Sequence, residues 1–135
     1  MEVESVIDSR TILTHLEAQN KDDALEKMAA ALYKAGYLKD KAGYLEDVYL
    51  REKKGATGIG GYIAIPHGKS DAVKITSIAF GRTKNDLIWE SPDGEPVHVV
   101  ILFAVRNVDK TTVHLKLLSQ VAMALADDAT LDKLL

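Results

Sequence analysis

Apolar and polar positions along the chain follow two different periods, which predicts both helices and strands. Four apolar residues have helical spacing and form one stripe: Leu25, Met28, Ala29 and Leu32. Asn20 supplies an N-terminal cap before this stripe, and Gly36 stands where a left-handed C-terminal cap is expected. The first predicted helix therefore lies between Asn20 and Gly36.

A second helix is predicted to begin after Asp40, a capping residue. Its inward-facing side chains are Tyr44, Leu45, Val48 and Tyr49. Residues 53–54, both lysine, are expected in its last turn, and Gly55 ends it. Arg51 and Glu52 thus fall near the C-terminus of this helix, shortly before a glycine-rich stretch.

Four strands are predicted from β-branched and apolar residues, at positions 9–16, 62–65, 74–81 and 97–105. The last of these is a nearly continuous apolar run, which predicts a central strand covered on both faces. Helices that alternate with strands, one of them fully apolar, predict an α/β fold. We expect a mixed β-sheet flanked by helices, in a single-domain sandwich of residues 1–135.

The C-terminal part of the chain predicts a further helix that begins near Thr111. Its buried face would consist of Leu115, Leu118, Val121, Ala122 and Leu125. His114 lies in the first turn of this helix. The chain ends at Leu134 and Leu135, in what the pattern predicts as the beginning of another helix.

Composition and charge exclude several classes of function. The 135 residues carry a net charge of −3 and no basic run, so neither nucleic acid nor an anionic membrane is an expected partner. Cysteine is absent, which excludes disulfides and thiolate metal sites and is typical of a reducing cytoplasm. The N-terminus is acidic, and no apolar run approaches the ~20 residues of a membrane span. We therefore expect a cytoplasmic domain without direct membrane insertion.

The stretch 55–68 is rich in glycine and contains the strand predicted at 62–65. Because proline donates no ladder hydrogen bond, Pro66 and the following His67-Gly68 are expected to end this strand on a tight bend. Two nucleotide-binding motifs, the dinucleotide fingerprint and a P-loop ending at 68–70, would both need glycine at position 63. That position is isoleucine. The glycine loop is therefore expected to allow close backbone approach and not to bind a nucleotide.

The chain has four histidines: His15, His67, His98 and His114. None of them has the spacing of a helical metal site, so neither a metal nor another cofactor is expected. Local sequence favours a loop role for His15, a structural strand role for His98 and a helix-terminal role for His114. For His67, between Pro66 and Gly68, local sequence supports a functional and a structural role equally. A serine hydrolase is not expected, because the chain has no Gly-x-Ser-x-Gly elbow.

Several motifs together carry a family likeness: Arg51-Glu52, Thr57-Gly58-Ile59-Gly60, Ile63-Ala64-Ile65-Pro66-His67-Gly68 and, much later, His114-Leu115. With them, the chain resembles the fructose/mannitol-type (type 2) enzyme IIA domain of the bacterial phosphoenolpyruvate-dependent sugar phosphotransferase system. The turn at 89–97 also resembles the segment before a core strand in the fructose-like branch. The likeness extends over most of the chain. The family usually continues for another short helix, which this chain begins and does not finish, so the domain is expected to lack that last helix.

The resemblance implies a phosphotransferase that carries phosphoryl groups on a histidine. His67 would accept a phosphoryl group from the phosphocarrier protein HPr and pass it to a cysteine of a cognate enzyme IIB during sugar uptake. Arg51 and His114 match the two positions that the family places beside the active histidine. Thr57 matches a loop position nearby. The family fold is a mixed β-sheet flanked by helices, in agreement with the pattern of apolar residues.

The chemistry of these residue types suits a phosphoryl relay. Neutral imidazole, with a pKa near ~6.5, is both a nucleophile and a leaving group at neutral pH. Phosphoryl transfer passes through a loose transition state, so the protein mainly stabilises charge on the equatorial oxygens. Arg51 offers a planar set of donors to those oxygens, and backbone N–H groups of Gly58 and Gly60 would add a shallow anion-binding loop.

Two alternatives stay open at this point. Regulatory relatives keep the histidine and use its phosphorylation state to control partner proteins, without delivery of a sugar. The turn at 89–97 favours the transport version. A hydrolase that uses His67 with a bound ion is a rival from a different class.

Overall fold

The protein is described by a computed structural model, which covers residues 7–107 of the chain, with side chains from residue 10 onwards. In this part the elements follow the order β1 (Ile7–Leu13), α1 (Lys21–Lys34), α2 (Lys41–Glu52), β2 (Gly58–Gly60), β3 (Ile63–Ala64), β4 (His67–Ser70), β5 (Ser77–Leu87) and β6 (Val97–Arg106). The helix predicted from Thr111 onwards, which contains His114, lies outside the described residues.

Both helices begin at the caps that the sequence predicts. The Asn20 side chain accepts a hydrogen bond from the backbone N–H of Asp23, and the Asp40 side chain accepts one from the backbone N–H of Ala42. Each bond satisfies one of the N–H groups that a helix leaves without a partner in its first turn. The two helix starts are therefore confirmed.

The helix ends agree less uniformly with the sequence pattern. Gly36, just after α1, has φ of 89°, the left-handed conformation expected of a capping glycine. α2, in contrast, ends at Glu52, so the prediction that residues 53–54 form its last turn is wrong. Arg51 is the basic residue of that turn.

The strands form one mixed sheet in the order β1-β5-β6-β3-β2, and β4 also pairs with β6. β5 and β6 are antiparallel, whereas β1 on β5 and both β3 and β4 on β6 are parallel. β2 and β3 form an antiparallel pair. Almost every side chain of β6 is buried, on both faces of the sheet. The prediction of a central strand covered on both faces is therefore confirmed.

Two apolar clusters hold the sheet in place. The larger cluster joins α1 and α2 to one face of the sheet and includes Leu25, Met28, Leu32, Tyr44, Val48, Ala79, Val100 and Leu102. The smaller cluster lies on the other face and consists of Ile63, Ile78, Val99, Ile101, Phe103 and Val105. Each fully buried aliphatic or aromatic side chain of this kind contributes roughly 1.5–3 kcal/mol to folding. The predicted α/β fold, a mixed β-sheet flanked by helices, is confirmed.

The strand that carries the candidate histidine differs from its prediction. The sequence predicts that the strand at 62–65 ends at Pro66; instead, β3 stops at Ala64 and β4 begins at His67. Both short strands pair with the same neighbour, β6. Because Pro66 has no N–H, the ladder is interrupted there and resumes one residue later. The prediction that His67 lies on a bend that ends a strand is therefore wrong, since His67 begins a strand.

Strands β1 and β5 are also displaced from their predicted positions. β1 lies at Ile7–Leu13 instead of 9–16, and β5 lies at Ser77–Leu87 instead of 74–81. Pairing with the long strand β6 sets the length of β5, since Ser77 lies opposite Ala104 and Leu87 opposite Val97. Tertiary pairing of this kind commonly overrides local strand preference.

Candidate functional site

Gly68, which has no side chain, allows α2 to lie close to β4, the strand that carries His67. A Cβ atom on Gly68 would lie 2.8 Å from Cγ2 of Val48 and 2.9 Å from Cε1 of Tyr44, so only glycine fits without displacing the helix. Tyr44, Val48 and Arg51 lie on one face of α2, at positions i, i+4 and i+7. The close approach at Gly68 therefore brings Arg51 to His67.

Two hydrogen bonds distinguish the ring nitrogens of His67. Its Nδ1 lies 3.2 Å from the carbonyl oxygen of Ile65, and its Nε2 lies 3.2 Å from Nε of Arg51. A carbonyl oxygen only accepts and a guanidinium only donates, so Nδ1 carries the proton and Nε2 carries the lone pair. Arg51 is held by a second bond, in which Nη1 donates to the carbonyl oxygen of Gly55 at 3.2 Å. The geometry thus assigns one neutral tautomer to His67.

The electrostatic environment also favours the neutral ring. Burial lowers the pKa of the His67 imidazole below its usual value. The hydrogen bond to Ile65 raises this pKa, the positive charges of Arg51 and Lys69 lower it further, and the carboxylate of Glu52 raises it. The net shift is downward, so His67 is neutral at pH 7, with an available lone pair on Nε2.

Thr57 lies in a small buried group of polar side chains. Its hydroxyl donates a hydrogen bond to Oε1 of Glu52 at 2.6 Å and accepts one from Nε1 of Trp89 at 3.2 Å. Nζ of Lys21 lies 2.6 Å from the other carboxylate oxygen of Glu52 and 4.9 Å from the centre of the Trp89 ring. We refer to Lys21, Glu52, Thr57 and Trp89 as the Thr57 cluster. The Thr57 hydroxyl is therefore engaged within the protein.

Glycines of the β2–β3 hairpin allow it to pack closely against the segment that precedes β6. The N–H of Gly58 donates to the carbonyl oxygen of Glu90 at 3.2 Å, and a Cβ on Gly58 would lie 2.4 Å from that oxygen. The N–H of Gly61 donates to Asp93 at 3.0 Å. Close backbone approach is thus confirmed, and the N–H groups of Gly58 and Gly61 are already paired. Phosphoryl binding by Gly58 and Gly60 stays a prediction.

Two other histidines lie within the described residues. His98, on β6, has Nδ1 3.1 Å from Oδ1 of Asp86, and its ring stacks on Tyr62 with the ring centres 5.1 Å apart. His15 lies in the turn after β1. Both positions agree with the structural roles that the sequence favours. The structure therefore brings His67 and Arg51 together, whereas His114 lies outside the described residues.

The sequence pattern misses three contacts of this region. Lys21 and Glu52 lie on different helices, 31 residues apart, and no local pattern indicates their ion pair. Trp89 contacts Thr57 from a segment 32 residues further along the chain. No side chain in the sequence indicates that the backbone carbonyl of Ile65 bonds to His67. The position of Glu52 directly after Arg51 was the only sequence signal for any of these contacts.

Within residues 7–107, no three histidine, cysteine, aspartate or glutamate side chains are grouped closely enough to hold a metal ion. Over the same range, neither helix has the length and apolar character required to cross a membrane.

Comparisons with known proteins agree on one family. Residues 5–135 match the family model described as "Phosphoenolpyruvate-dependent sugar phosphotransferase system, EIIA 2". The chain is 38% identical over 125 residues to the PTS system fructose-specific EIIABC component of Bacillus subtilis, a match that covers 93% of this chain and 20% of that protein. The chain thus spans about a fifth of the length of that relative.

Two further proteins are similar over most of their own length. The mannitol-specific phosphotransferase enzyme IIA component of Halalkalibacterium halodurans is 31% identical, over 98% of this chain and 87% of that protein. Among solved structures, the nitrogen regulatory protein IIA-Ntr from Neisseria meningitidis matches with a TM-score of 0.84 and 29% identity, over 96% of this chain and 88% of that one. The chain therefore belongs to the EIIA 2 family of the phosphoenolpyruvate-dependent sugar phosphotransferase system.

Proposed function

We propose that this chain is a phosphocarrier, in which Nε2 of His67 accepts a phosphoryl group from HPr and passes it to a cysteine of a cognate enzyme IIB during sugar uptake. One observation carries the proposal. His67 holds a proton on Nδ1 against the carbonyl of Ile65 and presents the lone pair of Nε2 to the guanidinium of Arg51. A nucleophile next to a fixed cation is what transfer of an anionic group requires.

In the first step, the lone pair of Nε2 attacks the phosphorus of phosphohistidine in HPr. The P–N bond to HPr breaks as the P–Nε2 bond forms, and the electron pair of the broken bond returns to the imidazole of HPr. No proton has to leave His67, because Nε2 carries none. The hydrogen bond from Nδ1 to Ile65 keeps the ring oriented and stabilises the positive charge that the ring gains.

Arg51 can serve the site before and after transfer. Its Nε donates to Nε2 in the free protein, and once phosphorus occupies Nε2 the same N–H is available to a phosphoryl oxygen. The guanidinium stays charged and planar, which suits an oxyanion with several equivalent oxygens. We therefore give Arg51 the role of stabilising the charge of the transferred group. The family resemblance extends the same role to His114.

In the second step, the thiolate of an enzyme IIB cysteine attacks the phosphorus. The P–Nε2 bond breaks and its electron pair returns to Nε2, so His67 is neutral again. The lowered pKa of His67 favours this step, since a less basic imidazole is a better leaving group. The similarity to a fructose-specific protein whose name joins components A, B and C supports an enzyme IIB as the acceptor.

A regulatory function is the second candidate. The observation that favours it is the similarity to a nitrogen regulatory protein over nearly the whole chain. In that case the phosphorylated and free forms of His67 would bind partner proteins differently, and no cysteine would receive the group. The identity to the fructose-specific component is 38%, against 32% for nitrogen regulatory relatives over a similar share of this chain, which favours sugar transport.

The proposal is tested by phosphorylation with phosphoenolpyruvate, enzyme I and HPr. We expect one acid-labile phosphate per chain, and we expect His67→Ala to abolish it. His98→Ala is the matched control, which should be labelled like the original protein because His98 pairs with Asp86 and not with a cation. Full labelling of His67→Ala, or no labelling of the original protein, would contradict the proposal. Onward transfer to an enzyme IIB cysteine distinguishes transport from regulation, and release of free phosphate would indicate a hydrolase.

A further inference from the structure

We propose that Thr57 is a positioning residue, which aligns both His67 and Arg51 for phosphoryl transfer. This inference deepens the proposed phosphocarrier function and takes its functional meaning from it. Two hydrogen bonds leave Thr57 in different directions. Its hydroxyl bonds to Glu52, next to Arg51, and its backbone carbonyl bonds to Ile65, the residue that holds the ring of His67.

The first route runs through the backbone to His67. The carbonyl oxygen of Thr57 accepts a hydrogen bond from the N–H of Ile65 at 2.8 Å. Ile65 lies in the gap between β3 and β4, where the pairing with β6 is interrupted at Pro66. The bond to Thr57 therefore fixes the Ile65 segment from the β2 side. The carbonyl of Ile65 then accepts the proton of Nδ1, which leaves the lone pair on Nε2.

The second route runs through the side chain to Arg51. The hydroxyl of Thr57 donates to Glu52 at 2.6 Å, and this bond closes residues 52–57 into a loop at the end of α2. Gly55 lies inside that loop, and its carbonyl oxygen accepts a hydrogen bond from Nη1 of Arg51. The loop closure thus sets the position of the acceptor that orients the guanidinium.

Trp89 fixes the direction of the Thr57 hydroxyl, and Lys21 balances the charge of Glu52. Nε1 of Trp89 can only donate, so the hydroxyl accepts from it and must direct its own hydrogen to Glu52. Lys21 pairs with the second oxygen of Glu52 and balances a negative charge that would otherwise repel an incoming phosphoryl group.

Three members of the Thr57 cluster are largely excluded from water, whereas the side chain of Lys21 is 22% exposed. Thr57 is 3% and Trp89 5% exposed, and the side chain of Glu52 is 8% exposed. Hydrogen bonds in such surroundings are stronger than on the surface, and they permit few alternative arrangements. A purely structural role would lower stability on mutation and leave the ring of His67 unchanged. A positioning role also changes which nitrogen of His67 carries the proton.

The test uses the full chain and three threonine variants. Thr57→Val keeps the shape and removes the hydroxyl, and Thr57→Ser keeps the hydroxyl. Thr11→Val is the matched control, because Thr11 is 0% exposed and donates to the carbonyl of Ile78 at 2.9 Å, in β1 at the opposite edge of the sheet from β2. Two quantities are measured for each: the rate of phosphoryl acceptance from phosphorylated HPr, and the ¹⁵N chemical shifts of the His67 ring.

We expect Thr57→Val to slow acceptance roughly 10- to 100-fold, the range that a small misplacement of reacting groups produces. In the same variant the ¹⁵N shifts of His67 should move towards a mixture of the two tautomers, because the loosened 52–57 loop no longer holds Arg51 as a donor to Nε2. The backbone bond between Thr57 and Ile65 is retained. Thr57→Ser should restore most of the rate and the original shifts, and Thr11→Val should alter neither. If Thr57→Val does not fold, Trp89→Phe, which keeps an aromatic ring but loses the donor to Thr57 and part of the indole beside Lys21, should produce the same change at the ring with a smaller loss of rate.

Unchanged ¹⁵N shifts of His67 in the folded Thr57→Val protein, or in Trp89→Phe where that variant replaces it, would overturn the positioning role, whatever the rate. A loss of rate in Thr57→Ser as large as in Thr57→Val would overturn it as well. The failure of the proposed function looks different, because HPr would then not phosphorylate the original protein. A tautomer shift in Thr57→Val without any phosphorylation of the original protein would therefore retain the alignment of the two side chains and reject the phosphocarrier role.

Discussion

His67 and His98 lie on adjacent strands of one sheet, and they have opposite partners. His67 accepts a hydrogen bond from the guanidinium of Arg51, whereas His98 lies 3.1 Å from the carboxylate of Asp86. A cation beside a ring nitrogen attracts a phosphoryl group, and a carboxylate repels it. Because both residues are histidine, we expect the charge of the neighbouring side chain to decide which of them carries phosphate.

The two histidines also differ in how their partners are supported. The guanidinium of Arg51 is held by Gly55, in a loop that the buried Thr57 cluster closes. The side chain of Asp86 is 58% exposed, and water can replace its contact to His98 at little cost. The first site is thus built for a fixed geometry, and the second is an ordinary surface contact.

The largest effect is expected from removal of the cation beside His67. Arg51→Ala should slow phosphoryl acceptance from HPr by about 10²–10³-fold, the range found when one donor to a developing oxyanion is removed. Rapid-quench labelling with phosphorylated HPr measures the rate. The fold should stay intact, as checked by chemical denaturation, because Arg51 makes its contacts at the partly exposed end of α2.

Lys53→Ala is the matched control for this prediction, since Lys53 is an exposed cation just beyond the end of α2. Its loss changes the net charge equally and should leave the rate near that of the original protein. Equal slowing in the two variants would mean that overall charge, and not the bond to His67, carries the effect. An unfolded Arg51→Ala protein would instead mark Arg51 as structural.

The residues that begin helices and fill the central strand could be predicted from the sequence. Asn20 and Asp40 act as caps through bonds to nearby backbone N–H groups, and these are local interactions. The apolar run in β6 identifies a strand buried on both faces, because burial on two faces requires such a run. The family motif also predicts that Arg51 lies beside His67. Helical or strand periodicity alone does not indicate this contact.

The support of the site could not be predicted, because it depends on contacts between distant segments. Gly68 is required where Tyr44 and Val48 of α2 meet β4, and no pattern around position 68 indicates that approach. The tautomer of His67 depends on a backbone carbonyl, that of Ile65, which any residue type could supply. Such features follow only from the arrangement of β3, β4 and α2 around one another.

A smaller effect is expected from pH. Burial lowers the pKa of His67, so acceptance from HPr should persist below the usual histidine pKa of about 6.5 and fall only as pH passes through the lowered value. Because the pKa is lower in the folded than in the unfolded chain, the contribution of His67 to stability is full above pH ~6.5 and is lost as pH decreases towards the folded pKa.

An NMR titration of the His67 ring nitrogens measures this pKa directly. In Arg51→Ala the titration should move to higher pH, since the charge of Arg51 is one cause of the lowering. A pKa of His67 at or above about 6.5 in the original protein would contradict the proposed neutral nucleophile. The comparison with the Arg51 variant separates the share of the cation from the share of burial.

The smallest effect is expected from a substitution beside His98. Asp86→Asn keeps an acceptor for His98 and removes the charge, so the free energy of unfolding should change by less than about 1 kcal/mol, as for other exposed pairs. Chemical denaturation measures this change, and phosphoryl acceptance at His67 should be unaltered. A loss of rate comparable to that of Arg51→Ala would show that charge anywhere on the sheet controls the reaction. An unaltered rate, together with the large effect at Arg51, would restrict the control to Arg51, the cation that contacts Nε2.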